Sequence, residues 1–407
     1  MNRPRRLLTR RGLLGLGGLG ALAGTGFAYA ARAPRSSGAS ASPGVAVPAA
    51  ATVPARMPAE WRPHAATYLA WPPADSLWKD QAPAVQRDIA RLAHTLAEYE
   101  PVALLAGPEE EGRARRACGA AVEIVPVPVD DLWIRDTGPV FVTRPGTSPG
   151  PGRAGVDLHF NGWGGKQRHP RDAQVARGLL GREGITRVEA GIVAEGGSVE
   201  VDGEGTLLAT ESSLVNANRN PGRTRTDVER ELKRALGVTR VIWVAGVRGA
   251  DITDCHVDTV ARFVEPGVVA LNRPWHGDGP DVWARVYEQA RGVLAQARDA
   301  RGRRLEIVEI AEPDPYAIGE RGEEFLSSYL NYYVANGVVV LPRFGDRRAD
   351  DRAAGVLRDL HPGRDIRQIA IDAVGEGGGG IHCATQQLPE VPGGPGGGRG
   401  ERAGRAR

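Results

Sequence analysis

The chain has 407 residues, 41% of them apolar and 25% charged, enough to bury a sizeable core, so most of it is expected to be globular. Its 55 glycines and 30 prolines argue against a helical bundle and for tight turns between short elements. The formal charge is +3, but seven arginines before residue 36 and a net +3 in the tail leave residues 36–390 at −7. That balance removes the main support for nucleic-acid binding and suits a cationic partner.

The N-terminal segment reads as a bacterial twin-arginine export signal over residues 1–35. Thr9-Arg10-Arg11-Gly12-Leu13-Leu14 sets two arginines directly before an apolar, glycine-rich run that ends at Phe27. Ala28-Tyr29-Ala30 and Ala31-Arg32-Ala33 then have the small-residue spacing of a cleavage site. The run is short of the roughly 20 apolar residues of a comfortable membrane span, so no membrane attachment is expected once the signal is cleaved. An uncleaved N-terminal anchor is the alternative. Residues 36–54 read as a disordered spacer, 55–390 as one catalytic domain and 391–407 as a disordered Gly/Arg-rich tail.

Within 55–390, short apolar runs predict strands at Ala66–Trp71, Val102–Leu105, Val122–Val127, Val140–Thr143, Val156–Phe160, Thr206–Thr210, Val241–Val244, Val257–Phe263, Val268–Leu271, Glu306–Ile310 and Gly337–Leu341. Amphipathic stretches predict helices at Pro83–Tyr99, Arg171–Glu183, Arg225–Leu236, Pro280–Ala300 and Ala349–Leu360. Thr224 and Gly237 supply start and stop signals for the third of these. Two or three strands per helix is not the strict alternation of a Rossmann sheet.

Three cysteines, Cys118, Cys255 and Cys383, are an odd number, which suggests a free thiol rather than a disulfide framework. Cys118, between alanine and glycine, reads as small-residue packing. Cys383 follows Gly377-Gly378-Gly379-Gly380-Ile381-His382, a setting that lets backbone approach a ligand closely and amides support an anion. It is either a nucleophile or a small core thiol.

His256 and Asp258 are expected on one face of a strand, Cys255–Phe263, where a histidine beside a carboxylate suits general acid/base chemistry or forms a plain polar pair. Cys255 is expected on the opposite face. With no HExxH or CxxC spacing anywhere, a metal site is the weaker reading. Asp136 is expected in a loop between strands, as a site acid or a turn residue paired with Arg135. Glu195, before Gly196-Gly197, is open in the same way.

Six motifs in order resemble the agmatine deiminase family, which includes bacterial peptidylarginine deiminases. They are Met57-Pro58-Ala59-Glu60-Trp61, Trp133-Ile134-Arg135-Asp136-Thr137-Gly138-Pro139, Phe160-Asn161-Gly162-Trp163-Gly164-Gly165, Glu195-Gly196-Gly197-Ser198, His256-Val257-Asp258 and Gly379-Gly380-Ile381-His382-Cys383. The resemblance runs from about Met57 to Leu388. It implies the pentein fold, a five-bladed α/β propeller of ββαβ-type modules around a central site, with no metal or organic cofactor.

By the same resemblance Cys383 is the nucleophile, His256 the general acid/base and Glu195 an additional active-site acid. Asp136 and Asp258 grip a small cationic guanidino substrate, and Trp133 lines its site. The implied reaction is attack of a thiolate on the guanidinium carbon, loss of ammonia and hydrolysis to a ureido product, agmatine giving N-carbamoylputrescine. Peptidyl-arginine or free arginine, giving citrulline, is the alternative substrate. A non-catalytic guanidino-binding protein would lack the nucleophile or base, and both are present. A homo-oligomer is compatible with all of these readings.

Overall fold

The structure, a computed structural model, describes residues 55–144, 152–275 and 281–391. The expected export signal and spacer, and the tail beyond Val391, lie outside the described residues. Five small sheets repeat one pattern: an antiparallel strand pair, a crossover helix, and a third strand parallel to the second.

In chain order the elements are β1 (His64–Ala70), α1 (Ala82–Ala97), β2 (Val102–Leu105), α2 (Glu111–Cys118) and β3 (Val122–Val125), then β4 (Val140–Thr143), β5 (Arg153–Asp157), α3 (Val175–Glu183) and β6 (Thr186–Glu189). Next come β7 (Val199–Val201), β8 (Thr206–Thr210), α4 (Arg225–Leu236) and β9 (Arg240–Val244). They are followed by β10 (Ala261–Glu265), β11 (Val268–Arg273), α5 (Val282–Gln296) and β12 (Glu306–Ala311). The last module is β13 (Tyr333–Ala335), β14 (Val338–Pro342), α6 (Arg347–Leu360) and β15 (Asp365–Ile369). Finally β16 (Gln386–Pro389) pairs antiparallel with β1, so the first sheet is made from the two ends of the folded region.

The local sequence explains these elements. On α1, Val85, Ile89, Leu92 and Leu96 recur at helical spacing and pack on Leu69, Leu104 and Ile124 of β1–β3. The alternate strand residues Tyr68, Ala103, Leu105 and Val125 face the other way, against Val175, Leu179 and Leu180 of α3. Burial on both faces is why these strands read as continuous apolar runs. Helix α4 starts at a reciprocal capping box between Thr224 and Asp227 and stops at Gly237, which is left-handed (φ +67°), as its sequence signals predict.

Five strands escape the sequence reading: β6, β7, β13, β15 and β16. Each has three to five residues, and β6 and β15 carry charges on half-exposed positions that mask any apolar alternation. Helix α2 escapes too, because Glu111-Gly112-Arg113-Ala114-Arg115-Arg116 offers no apolar stripe, although Ala114 and Cys118 are buried in the core. Among the described residues no helix is long and apolar enough to cross a membrane.

The modules meet at Glu60, a buried carboxylate. Its Oε1 accepts from Arg262 Nη2 on β10 (2.8 Å) and from the Val334 amide on β13 (2.9 Å). Its Oε2 accepts from Arg135 Nη2 (3.1 Å) and faces His382 Nε2 (2.9 Å), just before β4 and β16 respectively. Burial pushes the Glu60 carboxyl up, but Arg262, His382 and Arg135 outweigh it and hold the group well below its ordinary value of 4.5.

Breaking a buried ion pair by removing one partner costs about 3–5 kcal/mol, because the other charge is left uncompensated. Glu60→Ala is therefore expected to lower stability by that amount, read as a lower urea midpoint. Since the folded-state pKa is depressed, this contribution is complete above the ordinary carboxylate range and lost as pH falls below it. The wild-type and variant midpoints should accordingly converge in acid.

Candidate active site

Cys383 sits on a turn packed too tightly for side chains before it. Gly378 has φ +81°, a Cβ at Gly379 would lie 2.3 Å from the Trp133 ring, and one at Gly380 would lie 2.6 Å from Asn331 Oδ1. The glycines thus serve close packing. The half-buried Cys383 opens on a cavity of about 220 Å³ that is also lined by His256, Asp258 and Gly378. Its Sγ lies 3.2 Å from Asn331 Nδ2 and 3.9 Å from Asp258 Oδ2.

His256 and Asp258 do converge, but not by strand alternation. Asp254 and Cys255 have φ +61° and +70°, His256 is extended, Val257–Thr259 form a 3-10 turn, and β10 begins only at Ala261. Two successive left-handed residues cannot continue a strand, which corrects the expected strand at Cys255–Phe263. Such backbone is strained by about 1–3 kcal/mol per residue and needs outside support. Ser212 Oγ donates to the Asp254 carbonyl and Thr210 Oγ1 to that of Cys255, both at 2.7 Å. The Asp254 carboxylate is held by Arg219 Nη1 (2.5 Å), Lys166 Nζ (2.7 Å) and the Gly249 amide (2.8 Å).

The Cys255 side chain is buried in an apolar cluster with Val257, Phe263 and Leu271. Among the described residues no group of three or more His, Cys, Asp or Glu could hold a metal ion.

Asp136 lies in a short helix, Ile134–Thr137, rather than the expected loop. Its Oδ2 accepts from Trp163 Nε1 (2.9 Å) and its Oδ1 from the Gly197 amide (3.0 Å). Arg135 does not pair with it. That guanidinium turns the opposite way, toward Glu60 and Gln387, because a charge-matched pocket exists there. His256 Nδ1 stands 3.7 Å from Asp136 Oδ2, and His256 Nε2 stands 3.4 Å from Glu195 Oε2. Glu195 is fully buried and its Oε1 accepts from Arg219 Nε at 2.9 Å.

Gly197 marks the point of convergence. A Cβ there would lie 2.7 Å from His256 Nδ1, 2.9 Å from Asp136 Oδ1 and 3.0 Å from Asp258 Oδ2. Trp133 stands apart from the thiol's cavity. Packing against the glycine turn directs its ring into a neighbouring cleft with Trp78, Asp131 and Gln167.

The charges separate the groups into donors and acceptors. Burial lowers the His256 pKa, but Asp136, Glu195 and Asp258 outweigh it and raise the value to about 9, so the imidazole is protonated at neutral pH. Burial, with the charges of Asp258 and Asp136, pushes the Cys383 thiol well above its ordinary range. Asp136 is pushed up by burial, Glu195 and Asp258, whereas burial of Asp258 is outweighed by His382, His256 and Arg262, which pull it down. Asp258 Oδ1 is buried without a hydrogen-bond partner, an acceptor that favours a ligand able to donate to it, whereas Glu195 Oε2 and His256 Nε2 face each other at 3.4 Å.

Three residues at the site went unread in the sequence. His382 bridges Asp258 Oδ2 (2.7 Å) and Glu60 Oε2 (2.9 Å), Arg219 links Glu195 to Asp254, and Asn331 meets the sulfur. Glu60 and His382 stood inside quoted motifs without an assigned role. A buried asparagine amid Tyr329, Leu330, Tyr332 and Tyr333 was the available signal for Asn331.

Five ββαβ modules around a buried cluster of thiol, imidazole and carboxylates place the chain among the pentein-fold hydrolases. Residues 56–389 match the family described as Porphyromonas-type peptidyl-arginine deiminase, and the chain belongs to that family. An agmatine deiminase of Medicago truncatula is 36% identical over 364 residues, covering 82% of this chain and 96% of that protein. One of Stutzerimonas stutzeri is 38% identical over 356 residues, covering 82% and 95% respectively. The solved structure of the agmatine deiminase of Enterococcus faecalis, 29% identical, superposes with a TM-score of 0.76 over 83% of this chain and 96% of that one.

Because the Glu195 carboxylate raises the His256 pKa, Glu195→Gln should lower it from about 9 by on the order of one unit. An NMR pH titration of the His256 ring reads the shift directly.

Proposed function

We propose that the protein is an agmatine deiminase, hydrolysing the guanidinium of agmatine to N-carbamoylputrescine and ammonia. The observation that carries the choice of substrate is the charge of the cavity that Cys383, His256 and Asp258 share. Asp251, Glu312, Glu323 and Glu324 also line it, and among the described residues no lysine or arginine does. Agmatine presents a cation at both ends, so carboxylates suit its amine as well as its guanidinium. Free arginine would bring a carboxylate into the same acidic surroundings, where like charges repel. The names of the Medicago and Stutzerimonas relatives support the same substrate.

In this reading Asp136 and Asp258 accept from the planar guanidinium and hold its carbon before the Cys383 sulfur. The bound cation offsets the two carboxylates that disfavour the thiolate, so the Cys383 S–H ionises when substrate arrives and its proton passes to solvent. Sulfur attacks the guanidinium carbon. His256, already an imidazolium at neutral pH, gives its proton to the nitrogen that departs as ammonia, and the C–N bond breaks. The neutral imidazole then takes a proton from water as it attacks the thiouronium carbon. The C–S bond breaks, releasing the ureido product. Glu195, anchored by Arg219, steadies the imidazolium through both steps.

The decisive measurement is ammonia and ureido product from the purified protein with agmatine, arginine and an arginyl peptide. Agmatine is expected to react with a kcat/KM at least about a hundredfold above the others. Product from none of the three would defeat the deiminase reading, and a preference for the peptide would replace agmatine by peptidyl-arginine. Cys383→Ala should abolish turnover. Gly197→Ala, which intrudes on three side chains at once, should cost about a hundredfold in kcat.

We further propose that the protein is exported by the twin-arginine route. The motif Thr9-Arg10-Arg11-Gly12 supports this, and replacing Arg10 and Arg11 together by lysine should leave the protein in the cytoplasmic fraction.

A further inference from the structure

The outer faces of α1 and α2 carry a charge pattern that packing does not explain. Arg87, Arg91 and His94 recur at i, i+4 and i+7 on α1, and Arg113 and Arg116 at i and i+3 on α2. Both rows line one open groove of about 760 Å³. Like charges at such spacings weaken a helix. Arg91 and Arg113 relieve this in part, each through Nη1, to Asp88 (2.8 Å) and Glu110 (3.1 Å). Arg87 and Arg116 are exposed, and among the described residues no acid pairs with either. Among the described residues Glu98 is the one acid in the lining, and it is paired with Arg367 at 3.1 Å. With residues 36–390 at a net −7, the groove is a cationic island on an acidic body.

The two walls are held at a fixed spacing. His94 Nε2 donates to the carbonyl of Cys118, the last residue of α2 (2.9 Å), and Ala114 and Cys118 share an apolar core with Leu92 and Leu96. Two turns of α1 separate Arg87 from His94, about 10 Å. A planar carboxylate meets guanidiniums along one edge, whereas a phosphate directs oxygens to both walls at once.

We propose that this groove binds a short phosphate chain, gripped by Arg87 and Arg91 from α1 and by Arg113 and Arg116 from α2. A chain of three phosphates matches the length of the cationic row, and its charge offsets the repulsion within each helix. The site lies outside the Cys383 cavity and is independent of the deiminase reading.

The test is calorimetric titration of the full-length protein with inorganic tripolyphosphate. Binding should weaken as salt rises and should raise the melting temperature. Arg87→Ala combined with Arg116→Ala removes the two unpaired guanidiniums. It should weaken binding at least about tenfold and leave agmatine turnover unchanged. Arg347→Ala combined with Arg358→Ala takes the same charge from exposed positions on α6 and should leave affinity within about twofold. An equal loss in both double variants would assign binding to net charge, and no loss in the first would assign it to the arginine-rich ends. Either result overturns the proposal, as does a wild-type protein that does not bind tripolyphosphate.

ATP binding as tightly as tripolyphosphate would place recognition in the phosphates alone, and tighter binding of ATP would make a nucleotide the source of the chain. A hexa-aspartate peptide that binds more tightly than either would overturn the proposal in favour of an acidic peptide. One further measurement needs no substitution. In wild-type protein, tripolyphosphate should slow hydrogen–deuterium exchange in peptides from α1 and α2, and protection confined to other segments would also overturn the proposal.

Discussion

One buried carboxylate ties several modules together at a single point. Each sheet is small, and apolar clusters pack it against its neighbours. Glu60 adds a directional tie, accepting from Arg262, Val334 and Arg135 and facing His382, four groups that arrive from different parts of the ring. A buried acid with four partners tolerates little displacement, because each lost contact leaves a charge or an amide unpaired in a poorly solvated place. His382 carries that constraint outward: one ring nitrogen faces Glu60 and the other faces Asp258, the acid nearest the thiol. The framework and the chemistry therefore share one network.

The site also depends on backbone that the chain would not adopt alone. Among the described residues, five non-glycine residues have positive φ, and three of them, Trp163, Asp254 and Cys255, lie in segments that place Asp136 or His256. Trp163 at φ +54° delivers its indole N–H to Asp136. Arg219, Ser212 and Thr210 hold the bend that delivers His256. Rigid placement of this kind is what proximity and preorganised electrostatics require of a catalyst.

Much of this was legible in the sequence. The apolar runs of β1, β2, β8, β11 and β14 and the amphipathic periodicity of α1 and α4 come from burial patterns with regular periods. The islands around Asp136, Glu195, His256, Asp258 and Cys383 stood out because ionisable residues are rarely set among glycine and tryptophan without purpose. The conformation at Asp254–Cys255 was not legible, since it is imposed by Arg219, Ser212 and Thr210 from distant points in the chain. Alternation therefore gave the right neighbours, His256 and Asp258, for the wrong reason. Asn331, Arg219 and His382 were missed because their meaning lies in partners dozens to hundreds of residues away. Trp133 misled because its indole serves the back of the glycine turn rather than the cavity.

The pairing of β16 with β1 gives the fold a circular logic. The strand that follows Cys383 completes the sheet that the segment after Glu60 begins, and the Glu390 amide donates to the Pro63 carbonyl beside it. The blades form a closed band whose seam in the polypeptide is a matter of genetic order rather than geometry. A band of this kind has no terminal blade to fray, and loosening it anywhere spreads strain around the whole circumference. Unfolding should accordingly be all-or-none despite the modular build, in contrast to open repeat proteins that peel from their ends.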